Sequence, residues 1–79
     1  MSNIEKYNLA FIETFNISSD LLKDDFGYQG VVAWDSVGHM GLIAALEDAF
    51  DIMLETEDII EFSSYGFGKS ILKKYGVDI

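Results

Sequence analysis

The sequence predicts an all-α protein: a small four-helix bundle of three main helices and one short helix, with a long first loop. Two observations predict this fold class. Apolar residues recur at three- and four-residue steps, which is the period of a helix, and no segment alternates apolar and polar residues as a strand does. The length of 79 residues fits one domain, 1–79, because domains commonly have about 50 to 250 residues.

The first helix is predicted over residues 3–15. Ser2 and Glu5 have the spacing of a capping box, in which each side chain binds the backbone N–H of the other residue. An apolar stripe follows at helical spacing, and Asn16 is suited to end the helix. The members of this stripe are Ile4, Tyr7, Phe11 and Phe15.

Residues 16–35 have no sustained helical period and are predicted to form a long structured loop. A loop of this length is unusual in a compact domain unless it packs on the core or serves a function. Ser19 or Asp20 is expected to cap a short helical turn within it. The side chains expected to pack the loop onto the core are Leu21, Leu22, Phe26, Tyr28, Val31 and Val32.

Three further helices are predicted after the loop. The second spans residues 35–50 and is the longest. The third is short and follows Thr56, whose hydroxyl is expected to cap it. The last begins at residue 63 or 64, and Lys73 and Lys74 suit its end because positive charge is favourable at the C-terminus of a helix.

Composition excludes several classes of function. The chain has 14 acidic against 5 basic residues, a net charge of -9, whereas nucleic acids and anionic membranes bind basic surfaces. Cysteine is absent and His39 is the single histidine, so neither thiolate chemistry nor a multi-histidine metal site is available, and we predict no metal site. No apolar run is long enough to span a membrane and the N-terminus lacks the basic start of a signal peptide. We expect a monomeric protein of the cytoplasm.

The second helix has two apolar faces. One broad arc is predicted to face the core, and a smaller apolar strip, formed by Val37, Met40 and Ala44, lies opposite it and close to Glu47 and Asp48. Three interpretations are open: the long loop covers this strip, the strip is scattered exposure that needs no explanation, or it is a docking face with apolar contacts at its centre and acidic groups around it. The residues on the predicted core face are Leu42, Ile43, Leu46, Ala49 and Phe50.

Ser36 lies at the predicted start of the second helix. An Asp-Ser pair in front of a helix is ordinary capping chemistry. As a nucleophile Ser36 needs a base, and the helical projection turns His39 toward the core. We therefore expect His39 to be a capping or packing residue near the helix start, and Trp34 to pack the end of the loop rather than border an attached group. A serine in this position is, however, well placed to carry a phosphate ester, because the free N–H groups and the dipole of a helix start stabilise an anion.

The stretch WDSVGHMGLIAALEDAFDI, residues 34–52, combines Asp35-Ser36-Val37 with a Leu-Glu-x-x-Phe segment at residues 46–50. In these motifs, and in the order of its predicted helices over nearly the whole chain, the sequence resembles the acyl carrier protein family. The family has Asp-Ser-Leu followed by a helix that ends in Leu-Glu-x-x-Phe. The three-residue motif is weak by itself, and the resemblance depends on motif, register and architecture together.

The resemblance implies that Ser36 accepts 4'-phosphopantetheine from coenzyme A through a phosphopantetheinyl transferase. The thiol of this arm would hold acyl or aminoacyl groups as thioesters, so the chain would be a non-catalytic carrier. Gly38 and Gly41 replace acidic residues that are usual in fatty-acid carriers, which suggests a specialised pathway. The residues that the resemblance assigns to docking of enzymes with basic faces are Asp35, Val37, Met40, Ala44, Glu47 and Asp48.

Two alternative functions stay open. The first is an acidic docking module that uses the apolar strip without a prosthetic group, and it predicts that Ser36→Ala leaves activity intact. The second is a small hydrolase that uses Ser36 and His39, and it predicts labelling by a serine-reactive phosphonate.

Overall fold

A computed structural model describes all 79 residues and shows a helical protein without strands. Helix α1 spans Asn3–Phe15, α2 spans Ser36–Phe50, α3 spans Thr56–Glu61 and α4 spans Tyr65–Lys73, and a 3-10 turn covers Ser19–Leu21. The predicted fold class is confirmed. The longest helix has 15 residues, and none combines the length and the apolar character that a membrane span requires.

The start of α1 and the C-terminal ends of α1 and α2 are fixed by residues next to them in the sequence. Glu5 N–H donates to Ser2 Oγ at 3.3 Å and Ser2 N–H donates to the Glu5 carboxylate at 3.0 Å, so the predicted capping box is present. Asn16 has a left-handed backbone with φ of 54° and ends α1 by donating its N–H to the Ile12 carbonyl. Asp51 ends α2 in the same conformation. Asn and Asp tolerate this conformation because their short polar side chains can form local hydrogen bonds.

Two of the predicted caps are wrong. The 3-10 turn is capped by Ser18, whose hydroxyl accepts the N–H of Asp20, and not by Ser19 or Asp20. Thr56 is the first helical residue of α3 and therefore does not cap it, because an N-cap residue keeps a non-helical backbone. The residue in the N-cap position is Glu55, which makes no side-chain cap bond.

Aromatic side chains of α1, α4 and the loop form the core. Phe11 is fully buried, and its ring meets those of Tyr7, Trp34 and Tyr65 edge-on at centroid distances of 5.0, 5.6 and 5.3 Å. This is a geometry that aromatic pairs prefer. On α2, the predicted core face is confirmed for Leu42, Ile43 and Leu46, which are buried, whereas Ala49 and Phe50 are half-buried.

Backbone hydrogen bonds tie the loop of residues 16–35 to the start of α4. Tyr65 N–H donates to the Phe26 carbonyl at 2.7 Å, and Tyr28 N–H donates to the Ser63 carbonyl at 2.9 Å. The loop is therefore structured, as predicted, since its backbone is paired with a distant segment. This pairing also brings the Tyr28 side chain next to the connection between α3 and α4.

Only part of the loop packs in the predicted way. The Trp34 N–H donates to the Val31 carbonyl at 3.1 Å, which closes a turn with Val32 and Ala33 at its tip. Val32 is consequently 96% exposed rather than packed. Among the other side chains predicted to pack, Phe26 is buried, Leu22 and Val31 are half-buried, and Leu21 and Tyr28 are exposed.

Helix α4 begins and packs through small residues. Ser64 caps it by accepting the N–H of Phe67 at 3.0 Å, which confirms one of the two predicted starts. Gly68 faces the core, where a Cβ atom would overlap the Phe62 ring and the Tyr7 hydroxyl. This close approach explains why the helix keeps a residue that is unfavourable by about 1 kcal/mol relative to alanine.

Candidate functional site

Ser36 is the first residue of α2 and is exposed to solvent. The N-cap residue is Asp35, whose carboxylate accepts the N–H of Gly38 at 2.8 Å and whose carbonyl accepts the N–H of His39 at 2.7 Å. The N–H groups of Ser36 and Val37 have no acceptor within the chain. Together with the helix dipole, these two donors favour a negatively charged group at this end of α2.

A groove of about 400 Å³ opens beside Ser36, between the start of α2 and α3. Its surface is mainly apolar, and its polar positions are two serines and the His39 ring. Helix α2 provides one wall and α3 the other, while the loop and the α3–α4 connection complete it. The residues that line it are Tyr28, Ser36, His39, Met40, Ile59, Ile60, Phe62 and Ser63.

The structure brings Ser36, Met40 and His39 together on this groove, whereas the sequence prediction turned His39 toward the core, and it missed the other half of the groove. Ile59 and Ile60 belong to a short acidic helix, and Ile60 is 75% exposed. Adjacent residues on a helix point about 100° apart, so a second isoleucine beside Ile59 widens the apolar arc of this short helix, and this was the signal that could have indicated an apolar surface there.

Both ring nitrogens of His39 have partners. Trp34 Nε1 donates to His39 Nδ1 at 3.0 Å, and His39 Nε2 lies 2.8 Å from the Ile59 carbonyl oxygen. An indole N–H only donates and a carbonyl only accepts, so the ring is neutral with its proton on Nε2. Neither nitrogen is free in this arrangement to accept a proton from Ser36. The packing roles expected for Trp34, which is fully buried, and for His39 agree with these contacts.

The apolar strip of α2 faces solvent. Val37 is 80% exposed and Met40 is 54% exposed, and Ala44 is exposed as well. The interpretation in which the long loop covers the strip is therefore wrong, because that loop is tied to the start of α4 instead. The exposed strip begins next to Ser36 and continues along α2 for two turns.

The acidic groups near the strip differ in their surroundings. Asp35 holds the start of α2, and the Glu47 carboxylate accepts the N–H of Leu54 at 2.9 Å after the end of α2. Asp48 is exposed and makes no hydrogen bond through its side chain, and together with Glu13 it lines a shallow groove between α1 and α2. The carboxylates of Asp35 and Glu47 are thus held in fixed positions at the two ends of α2.

Asp58 of α3 is a buried acid rather than part of the exposed acidic surface. Lys74 Nζ lies 2.6 Å from its Oδ1, and the Tyr75 hydroxyl donates to its Oδ2. These hydrogen bonds hold the pKa of Asp58 below its ordinary value. Nowhere do three histidine or carboxylate side chains converge as they would around a metal ion.

No protein-family model, no curated protein and no solved structure matches this chain. What the site can do therefore has to follow from its own residues. An exposed hydroxyl beside two free N–H donors can carry a phosphate ester. The adjoining groove can receive an apolar group attached to that ester, and the exposed strip can contact a partner protein.

Proposed function

We propose that this protein is an acyl carrier whose 4'-phosphopantetheine arm is attached to Ser36. One observation carries the proposal: an exposed serine at the start of a helix adjoins an apolar groove. In the attachment, Ser36 Oγ forms a bond to the phosphorus of coenzyme A that bears the pantetheine. The bond from this phosphorus to the bridging oxygen breaks, adenosine 3',5'-bisphosphate leaves, and the hydroxyl proton passes to a base of the phosphopantetheinyl transferase.

The surroundings of Ser36 suit such a group. The free N–H groups of Ser36 and Val37 are available to a phosphodiester, and the apolar groove begins at the same side chain. When attached, the arm supplies a thiol that holds acyl or aminoacyl cargo as a thioester. A chain without cysteine has no sulfur nucleophile of its own, which is compatible with a carrier whose reactive thiol belongs to its arm.

The apolar strip supports docking of the enzymes that load and use such a carrier. Val37 and Met40 offer apolar contacts beside Ser36, and Asp35, Glu47 and Asp48 add negative charge around them. This arrangement suits partners with an apolar patch inside a basic rim, and the net charge of -9 would accelerate their encounter. The partners expected are a phosphopantetheinyl transferase and acyl-transfer enzymes.

Intact-mass measurement tests the proposal directly. The full chain is incubated with coenzyme A and a broad-specificity phosphopantetheinyl transferase, alongside Ser36→Ala and Ser63→Ala. Ser63 is a matched control because it is an exposed serine on the same groove, and its hydroxyl makes no hydrogen bond within the protein. We expect the wild type and Ser63→Ala to gain the mass of one phosphopantetheinyl group and Ser36→Ala to gain none. An unmodified wild type, or a modified Ser36→Ala, contradicts the proposal.

The exposure of Val37 and Met40 also favours a second candidate, an acidic docking module without a prosthetic group. In that case the wild type keeps the mass of the bare chain in the experiment above. Protein isolated from its own host also has the bare mass. A carrier, by contrast, is isolated at least partly in the modified form.

A further inference from the structure

Helix α3 is held by other elements rather than by its own ends. It has six residues, whereas isolated helices below about 12 to 15 residues are marginal in water. Glu55 makes no side-chain cap bond at its N-terminal end, and no backbone N–H caps its C-terminal end. The position of α3, and with it one wall of the groove, is therefore set by tertiary contacts.

Two side chains from elsewhere in the fold take the place of the missing caps. At the N-terminal end, the Tyr75 hydroxyl accepts the Glu55 N–H at 2.9 Å and donates to the Asp58 carboxylate. At the C-terminal end, His39 Nε2–H donates to the Ile59 carbonyl at 2.8 Å. This carbonyl is one of the last four in α3, and such carbonyls receive no hydrogen bond from an N–H group of their own helix. His39 therefore pairs a carbonyl that the helix leaves unpaired.

His39 is itself fixed from the core side. Its Nδ1 accepts the Trp34 indole N–H at 3.0 Å, and the two rings are nearly parallel, at 13° and 6.2 Å between centroids. Trp34 is fully buried and also stacks on Phe15 of α1. A continuous series of contacts therefore connects the core, through His39, to the Ile59 carbonyl on the other side of the groove.

We propose that His39 is a positioning residue: by capping the C-terminal end of α3 from α2, it holds the α3 wall of the groove against the end of α2 that carries Ser36. The use of this groove by an arm on Ser36 rests on the proposed function. The capping of α3 by the neutral, Nε2-protonated ring does not depend on it, and the two can be tested separately.

Two variants of His39 each keep one of its two hydrogen bonds and lose the other. The amide nitrogen of Gln reaches the position of Nε2, so His39→Gln keeps a donor for the Ile59 carbonyl. The amide of Asn reaches only the position of Nδ1, so His39→Asn keeps an acceptor for Trp34 and loses the α3 cap. Both variants lose the aromatic ring, and His39→Gln also leaves the buried Trp34 indole N–H without an acceptor. Exchange at residues 59–61 is therefore compared within each variant with exchange of the α1 amides, which report a general loss of stability.

Hydrogen exchange tests the capping without reference to any arm. We expect the amide protons of residues 59–61 to exchange about fivefold faster in His39→Asn than in His39→Gln, the effect of losing one hydrogen bond. In the wild type, imidazole nitrogen chemical shifts should show a neutral ring with its proton on Nε2. This second measurement needs no variant. A proton on Nδ1, or equal exchange in the two variants, overturns the capping.

Transfer kinetics test the positioning. We expect kcat/KM for phosphopantetheinyl transfer to Ser36 to be about fivefold lower in His39→Asn than in His39→Gln, with both folded as judged by circular dichroism. Faster exchange in His39→Asn with equal kcat/KM overturns the positioning role. If wild-type Ser36 accepts no arm at all, the proposed function fails, while the exchange experiment still decides whether His39 caps α3.

Discussion

Gly38 and Gly41 lie one turn apart on α2 but have different neighbours. A Cβ atom on Gly38 would overlap the Ala33 carbonyl oxygen and lie 3.3 Å from the Phe15 ring. A Cβ atom on Gly41 would meet only the Thr14 methyl group, at an ordinary contact distance of 3.5 Å. We therefore expect Gly38→Ala to destabilise the protein and Gly41→Ala to stabilise it, although both replace a helical glycine by the best helix former.

The magnitudes follow from these distances. Carbon and carbonyl oxygen atoms approach to about 3.3 Å, so Gly38→Ala requires the start of α2 or the Ala33 carbonyl to move by more than about 1 Å. That carbonyl belongs to the turn that ends at buried Trp34, and overpacking of this kind costs about 1–3 kcal/mol. Gly41→Ala gains up to about 1 kcal/mol of helix propensity. Both substitutions gain the same helix propensity, so the variants differ by the overpacking cost of about 1–3 kcal/mol. Since 1 kcal/mol changes Tm by about 4–8 °C in a small domain, their Tm values should differ by about 4 °C or more.

Thermal denaturation followed by far-ultraviolet circular dichroism measures this difference. Fluorescence of Trp34 provides a second probe, because the displacement caused by Gly38→Ala should alter the surroundings of the single tryptophan, whereas Gly41→Ala should leave them unchanged. Equal increases in Tm for both variants would refute the close approach between α2 and the loop.

The remaining predictions concern two buried polar groups. The pKa of Asp58 is held below its ordinary value by hydrogen bonds from Lys74 and Tyr75, so its stabilisation is present at neutral pH and is lost as the pH falls through the folded-state pKa. In urea denaturation the stability difference between the wild type and Asp58→Asn should shrink below about pH 4, and a constant difference would count against this linkage. The Tyr7 hydroxyl donates to the buried Tyr65 carbonyl at 2.6 Å, so Tyr7→Phe should lower the free energy of unfolding by about 1–3 kcal/mol. An unchanged value would show that this hydrogen bond contributes nothing.

Features set by neighbouring residues could be predicted from the sequence. The capping box of Ser2 and Glu5 and the stop at Asn16 act within one turn, so their residue types carry the information. Contacts between distant segments could not be predicted in this way. Asp58 meets Lys74 sixteen residues later. For this reason Asp58 is buried in the fold although it lies in the first turn of a short acidic helix.

The same distinction between local features and contacts of distant segments applies to the candidate site. The position of Ser36 and the two faces of α2 follow from helical periodicity, which is local. Whether the loop covers the apolar strip depends on where the loop is tied, and this is decided by the pairing of Phe26 and Tyr28 with residues 63–65. The α3 wall of the groove depends likewise on the contact of His39 with Ile59, twenty residues away.

The two walls of the groove are anchored with different strength. The α2 wall is fixed by Leu42, Ile43 and Leu46, each of which contributes about 1.5–3 kcal/mol through burial. The α3 wall depends on the buried Phe62, on the hydrogen bonds of Asp58 with Lys74 and Tyr75, and on two hydrogen bonds to its backbone that contribute about 1 kcal/mol each. Local opening proceeds through the most weakly held contacts, so the groove should widen by movement of α3 while α2 and Ser36 stay in place. On the proposed function, this separation would let a core of marginal size admit cargo by movement of the α3 wall, while the end of α2 that carries Ser36 stays in place.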